Sequence, residues 1–555
     1  MTSRPGGLRA ATQTLAGAAA MITVVTVASR LVGFARSLVL SWAVGTEGVG
    51  SAYSAANQLP NVLFEVAAGG ALAGAVVPLL AGPIARRSAR ETSGVASALL
   101  GWTLAVLVPL GALLAILAGP IAGLLMSRHP ELVDVTATFV RTFALQVPLY
   151  GLAVVLGGVL QAHKRFFWQA FAPLLSSLAV IAVYLVFFAM ADGNQADVAA
   201  LSTAAIAWLG WGTTAGVAFL ALPLVLPVRR TGTRLRPTLR FPGGEGARAR
   251  NLALAGVGAL VAQQLSVLAV MGAAFRFGPE QTFPTYTFAQ QVYLLPYAVL
   301  AFPLATSAFP RLAEHVAHGR LDRFRGLLAT TTRTLLVVSG LGVGALVAAS
   351  EAVEAVFARI ASGSVAGLGE AVAWMAPGIL GFALILHLSR ALYAIDRQRA
   401  AVVATAAGWL VVAAAAFALP AATGVRGQAG VLAMLGLATS LGMTVAAVGL
   451  LAAVGRLAGR EALRGVPRTL VVLVVATALG SWAGSLLSGA LLPADAAILL
   501  ALGVGVLAAL VAGGVVVGGF LVADRSAVTG IARRGRPVPA DASAEPAEPA
   551  DRPAE

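Results

Sequence analysis

The sequence predicts an all-α polytopic membrane protein with fourteen transmembrane helices. Its 555 residues are 59% hydrophobic and 11% charged, whereas soluble proteins average about 45–50% and 25%. Apolar stretches long enough to cross a bilayer recur fourteen times along the chain. Basic residues are concentrated in every second connection between these stretches. These observations exclude a soluble enzyme and a disordered regulator.

The predicted spans follow one another with short connections. The first apolar run continues past residue 28, which is longer than the apolar region of a signal peptide, so we expect a retained helix. The first two spans contain charges and have the weakest support from hydropathy. The spans are 16–44, 51–80, 94–127, 132–162, 168–192, 198–228, 251–277, 283–310, 326–356, 366–395, 399–420, 427–455, 467–489 and 494–523.

The positions of the basic residues test this count. With the N-terminus in the cytoplasm, 29 of the 38 basic residues fall in inside segments and four fall outside. A span missed early in the chain would destroy this alternation, so we predict a multi-pass membrane protein with both termini in the cytoplasm. The net charge of +15 is then explained by contact with anionic membrane lipids, and nucleic acid is not a predicted partner. The four outside arginines are Arg128, Arg276, Arg359 and Arg426.

An internal repeat organises the spans. Residues at the end of the second span recur at the end of the eighth span, 232 residues later. The fourth and tenth spans show the same offset of 232 residues. A shift of six helices preserves orientation, so we predict a parallel repeat of two six-helix lobes, with spans 13 and 14 outside it. The matching pairs are Pro78/Pro310, Leu160/Leu392, Ala162/Ala394 and Arg165/Arg397.

Six segments follow from this organisation. The tail is rich in Ala, Pro and Glu, a composition that cannot bury a core, so we expect it to be disordered. The segments are a cytoplasmic N-terminus (1–15), an N-lobe (16–228), a basic cytoplasmic loop (229–250), a C-lobe (251–458), helices 13 and 14 (459–525) and a cytoplasmic tail (526–555).

The sequence offers little for bond-breaking chemistry. Cysteine is absent, which excludes thiolate metal ligands and nucleophiles. The only lysine, Lys164, follows His163 and lacks a Walker-type context. His315 and His318 are three residues apart, and no third metal ligand lies at a suitable spacing. We therefore interpret them as solvated histidines of a loop. We predict no catalytic residues, no metal site and no cofactor.

Two arginines lie inside the first span. Arg30 and Arg36 are six residues apart, which separates them by about 120° around the helix and roughly 9 Å along it. Charges at this depth usually face a cavity, and guanidinium groups bind phosphate in a bidentate manner. Pairing with Glu65 in the second span is the alternative. Gly33, between them, permits bending or close helix contact.

Amides accompany proline in two spans. Asn57 and Asn61 flank Pro60 in the second span, which predicts a kink whose freed carbonyls are satisfied locally. A simple kink without a ligand role is equally consistent. Gln291 and Pro296 form a similar feature in the eighth span.

The stretches SRLVGFAR (29–36), NQLPN (57–61) and AVVP (75–78) closely resemble the start of the MurJ (MviN) family. Residues 166–173, FFWQAFAP, resemble that family's stretch after helix 4. Its members are lipid II flippases of the multidrug/oligosaccharidyl-lipid/polysaccharide exporter superfamily. The resemblance extends from residue 16 to about 523 and is most specific over the first eighty residues.

The resemblance implies two lobes around a cationic cavity for the pyrophosphate and head group of lipid II. Helices 13 and 14 would form a groove for the polyprenyl tail. Alternating access would carry the head group across, driven by the membrane potential or an ion gradient. Arg30 and Arg36 match two family arginines and would hold the pyrophosphate, while Pro60, Pro296 and Gly33 would permit helix bending.

The chain also departs from the family pattern. The cavity arginine of helix 2 falls at Phe64, the acidic residue near the helix 1–2 connection falls at Ser51, and the helix 8 arginine falls at Gln291. A divergent member would combine Arg30 and Arg36 with polar groups such as Asn57 and Gln291. The predicted substrate-binding residues are Arg30, Arg36, Asn57, Asn61, Glu65 and Gln291. The alternatives are another polyprenyl-glycan flippase, an ion-coupled drug exporter, or a non-transporting scaffold that recruits cell-wall synthesis proteins.

Overall fold

The computed structural model describes residues 15–242, 257–493 and 495–527, and within these ranges every regular element is helical. The predicted N-terminal segment 1–15, the later part of the basic loop and the tail after 527 lie almost wholly outside the described residues. The N-terminal half contains α1 Leu15–Ala43, α2 Val49–Phe64, α3 Gly70–Ala85, α4 Ala89–Ile116, α5 Ala118–Leu125, α6 Val133–Phe143, α7 Gln146–Ala162, α8 Phe166–Ala191, α9 Thr203–Ala221 and α10 Val225–Arg229.

The C-terminal half has the same helical character. Alanine and leucine dominate these segments, and both favour helix. The helices are α11 Val257–Phe277, α12 Thr282–Pro296, α13 Phe302–Ala317, α14 Leu321–Ile360, α15 Leu368–Met375, α16 Gly378–Ala394, α17 Gln398–Thr423, α18 Gln428–Leu457, α19 Val466–Leu491 and α20 Ile498–Ala523.

Twelve helices of the described chain are long and apolar enough to cross a membrane, or thirteen if the bent pair α15–α16 is one span. The predicted count of fourteen is therefore not confirmed. The backbone of the predicted span 51–80 is helical throughout. A π-helical segment, Glu65–Gly69, joins α2 to α3 within it.

Helix boundaries recur at the same offset that relates the two halves of the sequence. A second π-helical segment, Tyr297–Ala301, lies at this offset from Glu65–Gly69. The boundaries of α13 and α16 repeat those of α3 and α7 in the same way. Lys164 and Asp396, another such pair, both have a positive φ at the end of a helix. The two halves therefore share their local geometry over these helices without insertion or deletion.

Small residues allow the helices to pack closely, as is common in membrane proteins. In the C-terminal half, Gly408 of α17 faces Gly442 of α18, and a Cβ on either glycine would lie within 2.6 Å of the other's carbonyl oxygen. The last two helices, α19 and α20, pack on α14. Ala348, Ala508 and Ala512 form a buried cluster at that contact.

A buried ion pair fixes the end of α20 against α14. Asp524 is 2% exposed and lies 2.6 Å from the guanidinium of Arg333. Thr469 at the start of α19 donates a second hydrogen bond of 2.7 Å to the same carboxylate. Burial alone would raise the pKa of Asp524, but the hydrogen bonds from Thr469, Arg333 and Ser526 outweigh it and hold the pKa below its ordinary value.

We expect Asp524→Asn to lower the unfolding temperature at neutral pH, because removal of one partner from a buried pair costs about 3 kcal/mol. A carboxyl with a lowered pKa in the folded state stabilises the fold above its ordinary pKa, about 3.9, and this contribution is lost as the pH falls through the lowered value. The stability difference between wild type and variant should therefore shrink below about pH 4. Thermal unfolding in detergent at several pH values measures this difference between wild type and Asp524→Asn. The control is Asp322→Asn, because Asp322 is 91% exposed and pairs only at the surface.

Candidate functional site

Hydrogen bonds between the two halves concentrate at one end of the helix bundle, where the segments 44–48, 278–281 and 361–367 meet. We call this the bridged end. The backbone N–H of Thr46 donates to Ser362 over 3.0 Å, and the N–H of Ser362 donates to Ser41 over 2.9 Å. The hydroxyl of Thr46 donates to the Ser364 carbonyl over 3.0 Å. Gly45 has a φ of 86° at this contact, a conformation that favours glycine.

Carboxylates add to this junction. Glu47 accepts a hydrogen bond of 2.9 Å from the N–H of Ser364. The hydroxyl of Ser51 donates to the carbonyl of Glu280 over 2.9 Å. Burial raises the pKa of Glu280 above its ordinary value, although the N–H of Gly48 opposes this. The ion pairs at the opposite end instead join residues of the same half.

A cavity of about 490 Å³ lies mainly among the N-terminal helices. We call it the arginine cavity, and its wall includes Arg36, Asn57, Tyr150, Tyr184 and Gln291. Arg36 is partly buried, and it forms no ion pair with a carboxylate among the described residues. The guanidinium group of Arg36 is therefore available inside the bundle to bind an anionic group.

The wall beside Arg36 is held by hydrogen bonds among hydroxyl groups. The hydroxyls of Tyr53 and Tyr184 are 2.8 Å apart, and Thr213 lies 3.2 Å from Tyr53. Ser37, next to Arg36, donates to the side-chain carbonyl of Gln291 on α12. This last contact crosses between the two halves in the middle of the bundle, so the cavity wall changes if the halves move apart.

Arg30 occupies a different place from Arg36, as their six-residue separation predicts. Arg30 is exposed and does not line the arginine cavity, whereas Arg36 does. The structure therefore places only Arg36 of the two arginines in this cavity.

A second cavity of about 260 Å³ lies among the C-terminal helices. We call it the amide cavity, because Gln58, Gln263, Gln264 and Gln290 line it. Glu65 also lines it, and forms no ion pair with Arg30 or Arg36 in the described residues. The alternative in which Glu65 neutralises these arginines is therefore not realised. The two cavities are contiguous, since both are lined by Gln58, Asn61 and Thr287.

The predicted bending residues lie close to the π-helical segments. Pro60 is inside α2, five residues before Glu65, and the side chain of Asn61 donates to the carbonyl of Asn57 over 3.2 Å. Pro296 ends α12 immediately before Tyr297–Ala301. Gly33 lies in an unbroken helix and lines the arginine cavity. No group lies within 4 Å of a Cβ built on Gly33, so the close helix contact considered for it is not formed.

The structure thus brings together Arg36, Asn57, Asn61 and Gln291 of the predicted site, with Glu65 in the adjoining cavity. Sequence reasoning missed the tyrosines of the arginine cavity and the wall formed by Tyr293 and Trp409 in the amide cavity. The one usable signal was the pair Gln263–Gln264 inside an apolar span. In the described part of the chain, His, Asp and Glu form no group of three that could hold a metal ion.

Comparisons with known proteins match most of the chain. A family model described as lipid II flippase MurJ matches residues 40–517. A probable lipid II flippase MurJ of Rhizobium meliloti is 27% identical over 334 residues, which cover 59% of this chain and 60% of the relative. The lipid II flippase MurJ of Burkholderia cenocepacia is 26% identical over 381 residues, covering 66% and 71%. The chain thus spans less than two thirds of the length of the first of these relatives.

Solved structures share the fold. One described as lipid II flippase MurJ in an inward closed conformation superposes with a TM-score of 0.66 at 17% identity, covering 88% of this chain and 97% of the other. An inward-facing multidrug resistance MATE family transporter has a TM-score of 0.62 at 14% identity, covering 77% and 95%. At these identities the likeness concerns the fold alone.

Proposed function

The chain belongs to the MurJ family of lipid II flippases, and from this premise we propose that it moves lipid II across the cytoplasmic membrane. Lipid II is the undecaprenyl-pyrophosphate-linked peptidoglycan precursor, and the proposed direction is from the inner to the outer face. The observation that carries the proposal is the arginine cavity, where the guanidinium of Arg36 lies inside the membrane region without a carboxylate partner among the described residues.

The chemistry of this cavity suits a pyrophosphate. A guanidinium makes two parallel hydrogen bonds to phosphate oxygens, and desolvated charge inside a membrane strengthens the attraction. Asn57 and Gln291 line the same cavity and offer donors and acceptors to sugar or peptide groups. Arg30 adds a second positive charge to the same helix, at an exposed position.

Alternating access is the proposed mechanism. In this proposal the bridged end faces outside, because the arginine-rich connections lie at the opposite end. The hydrogen bonds between segments 44–48 and 361–367 then close the outer side while the head group enters from the inner side. Opening requires these bonds to break and the halves to separate, with the prolines and π-helical segments accommodating the bend.

The polyprenyl tail would remain in lipid while the head group crosses. The exposed apolar side chains of α19 and α20 fit this role: Val471, Trp482, Leu499 and Leu510 are each at least 65% exposed. We propose that this surface borders the tail. The driving force would be the membrane potential or an ion gradient.

The proposed orientation is tested by thiol labelling, which is simple because the chain has no cysteine. Asn194 and Ala317 are exposed residues at opposite ends of the bundle. We expect Asn194→Cys to react with an impermeant maleimide in intact cells. Ala317→Cys should react only after permeabilisation. The reverse pattern would contradict the orientation and the positive-inside reasoning.

Reconstitution tests the activity itself. Purified protein in liposomes that contain lipid II should increase the fraction of head groups that becomes accessible to an enzyme added outside. Protein-free liposomes give the background. Equal accessibility with and without protein would contradict flipping. An altered drug resistance in a deletion strain, with normal cell-wall synthesis, would favour an ion-coupled exporter instead.

A further inference from the structure

The amide cavity differs in chemistry from the arginine cavity that it adjoins. Its lining contains the carboxylate of Glu65 and the side chains of Gln58, Gln263, Gln264 and Gln290, and no basic residue. None of these four amides donates or accepts a side-chain hydrogen bond among the described residues. The cavity therefore presents one carboxyl group and several free amides without a cation, and the carboxyl makes it a poorer site for a phosphate than the arginine cavity.

Glu65 occupies an unusual position for a carboxylate. It begins the π-helical segment Glu65–Gly69 in the middle of the predicted second span, and an ionised group at such a depth in the bilayer is costly unless it is paired. The carboxylate lies against Gly69, where a Cβ would collide with it. No described cation pairs with it, so an ionised Glu65 would be compensated by a cation that enters the cavity.

Aromatic groups complete the wall. Trp409 and Phe382 line the cavity, and tryptophan is the most favourable ring for a cation placed over its face. Tyr293, which is 3% exposed and lines the same cavity, has a hydroxyl buried without a hydrogen-bond partner. The ring of Tyr293 therefore contributes to the aromatic wall, together with Trp409 and Phe382.

We propose that the amide cavity binds an ammonium group, held by the Glu65 carboxylate over Trp409 and surrounded by the glutamine amides. Because the two cavities share Gln58, Asn61 and Thr287, one ligand can reach both. The substrate class is then a lipid pyrophosphate whose head group also carries an amine. The assignment of this amine to the transported head group rests on the proposed function, whereas the ammonium site itself does not.

Binding to purified protein in detergent tests the site. The probe is 6-aminohexanamide at pH 7, and hexanamide is its uncharged counterpart. We expect calorimetry to detect the amine but not hexanamide, and Glu65→Gln to weaken amine binding at least tenfold. The matched control is Glu351→Gln, which changes an exposed carboxylate of α14 and should leave binding unchanged. Trp409→Leu should weaken it several-fold and provides a second test if Glu65→Gln does not fold.

A second titration separates this inference from the proposed function. Inorganic pyrophosphate should bind wild type and Glu65→Gln equally and should bind Arg36→Gln weakly, while Arg36→Gln keeps its amine affinity. Amine binding that is unchanged in Glu65→Gln, or absent from wild type, overturns the ammonium site. Absence of amine binding together with loss of transport in Glu65→Gln would indicate a carboxyl that carries a proton instead. Failure of pyrophosphate binding alone counts against the proposed function and leaves the ammonium site standing.

Discussion

Replacement of Arg36 by alanine is expected to abolish transport while the protein still inserts and folds. Arg36 lines the arginine cavity without an ion-pair partner in the described chain, so its loss leaves no partner of its own unsatisfied. Hydrogen bonds to a charged group contribute about 3 kcal/mol when desolvated, which corresponds to more than a hundredfold in affinity. Complementation of a depleted strain, with the amount of protein in the membrane measured in parallel, tests this.

Two variants control for the general loss of a membrane arginine. Arg141→Ala removes an exposed arginine from α6 and should retain full activity. Arg36→Lys keeps the positive charge but loses the planar guanidinium group, so its transport activity should lie between those of wild type and Arg36→Ala. Wild-type activity of the double variant Arg30/Arg36→Ala would contradict the assignment and would favour the scaffold, which has no use for charge inside the membrane.

A covalent link across the bridged end is expected to stop transport completely. The hydroxyl of Thr46 lies 3.0 Å from the Ser364 carbonyl, so cysteines at 46 and 364 can be joined by a short bifunctional thiol reagent. If the halves must separate here to release the head group, the linked protein should fall to background and recover when the link is reduced. The natural absence of cysteine makes the linkage specific.

The control pair places both cysteines in one half at the same end. Asn194→Cys with Asp197→Cys joins neighbours in the connection between α8 and α9, where the Asp197 N–H already donates to Asn194 over 3.1 Å. Linking this pair should leave transport unchanged. Full transport by the linked 46–364 pair would show that the bridged end does not open in the cycle.

Much of the fold follows from local patterns that sequence displays directly. The constant offset between the halves was visible in pairs such as Arg165 and Arg397, and the boundaries of α3 and α13 repeat at the same offset. The local geometry inside the spans was harder to predict. Hydropathy does not reveal where a long helix contains a π-helical segment, as at Glu65–Gly69, or where a span bends, as between α15 and α16.

In the candidate site, only charged residues inside apolar spans could be predicted from the sequence. Arg36 is such a residue, and its angular separation from Arg30 follows from helix geometry alone. The amide cavity was not predictable, because Glu65, Gln263 and Trp409 come from three helices distant in sequence. Their proximity depends on tertiary packing, and isolated glutamines and tryptophans in apolar spans have many ordinary uses.

The central claim is that this chain carries lipid II outward through the arginine cavity. The most direct test measures lipid II at the outer face of cells depleted of the protein, with a toxin added outside that cleaves the exposed head group, in a strain without related flippases. The account predicts that cleavage falls on depletion, returns with wild type and does not return with Arg36→Ala. Cleavage that stays unchanged on depletion would contradict it.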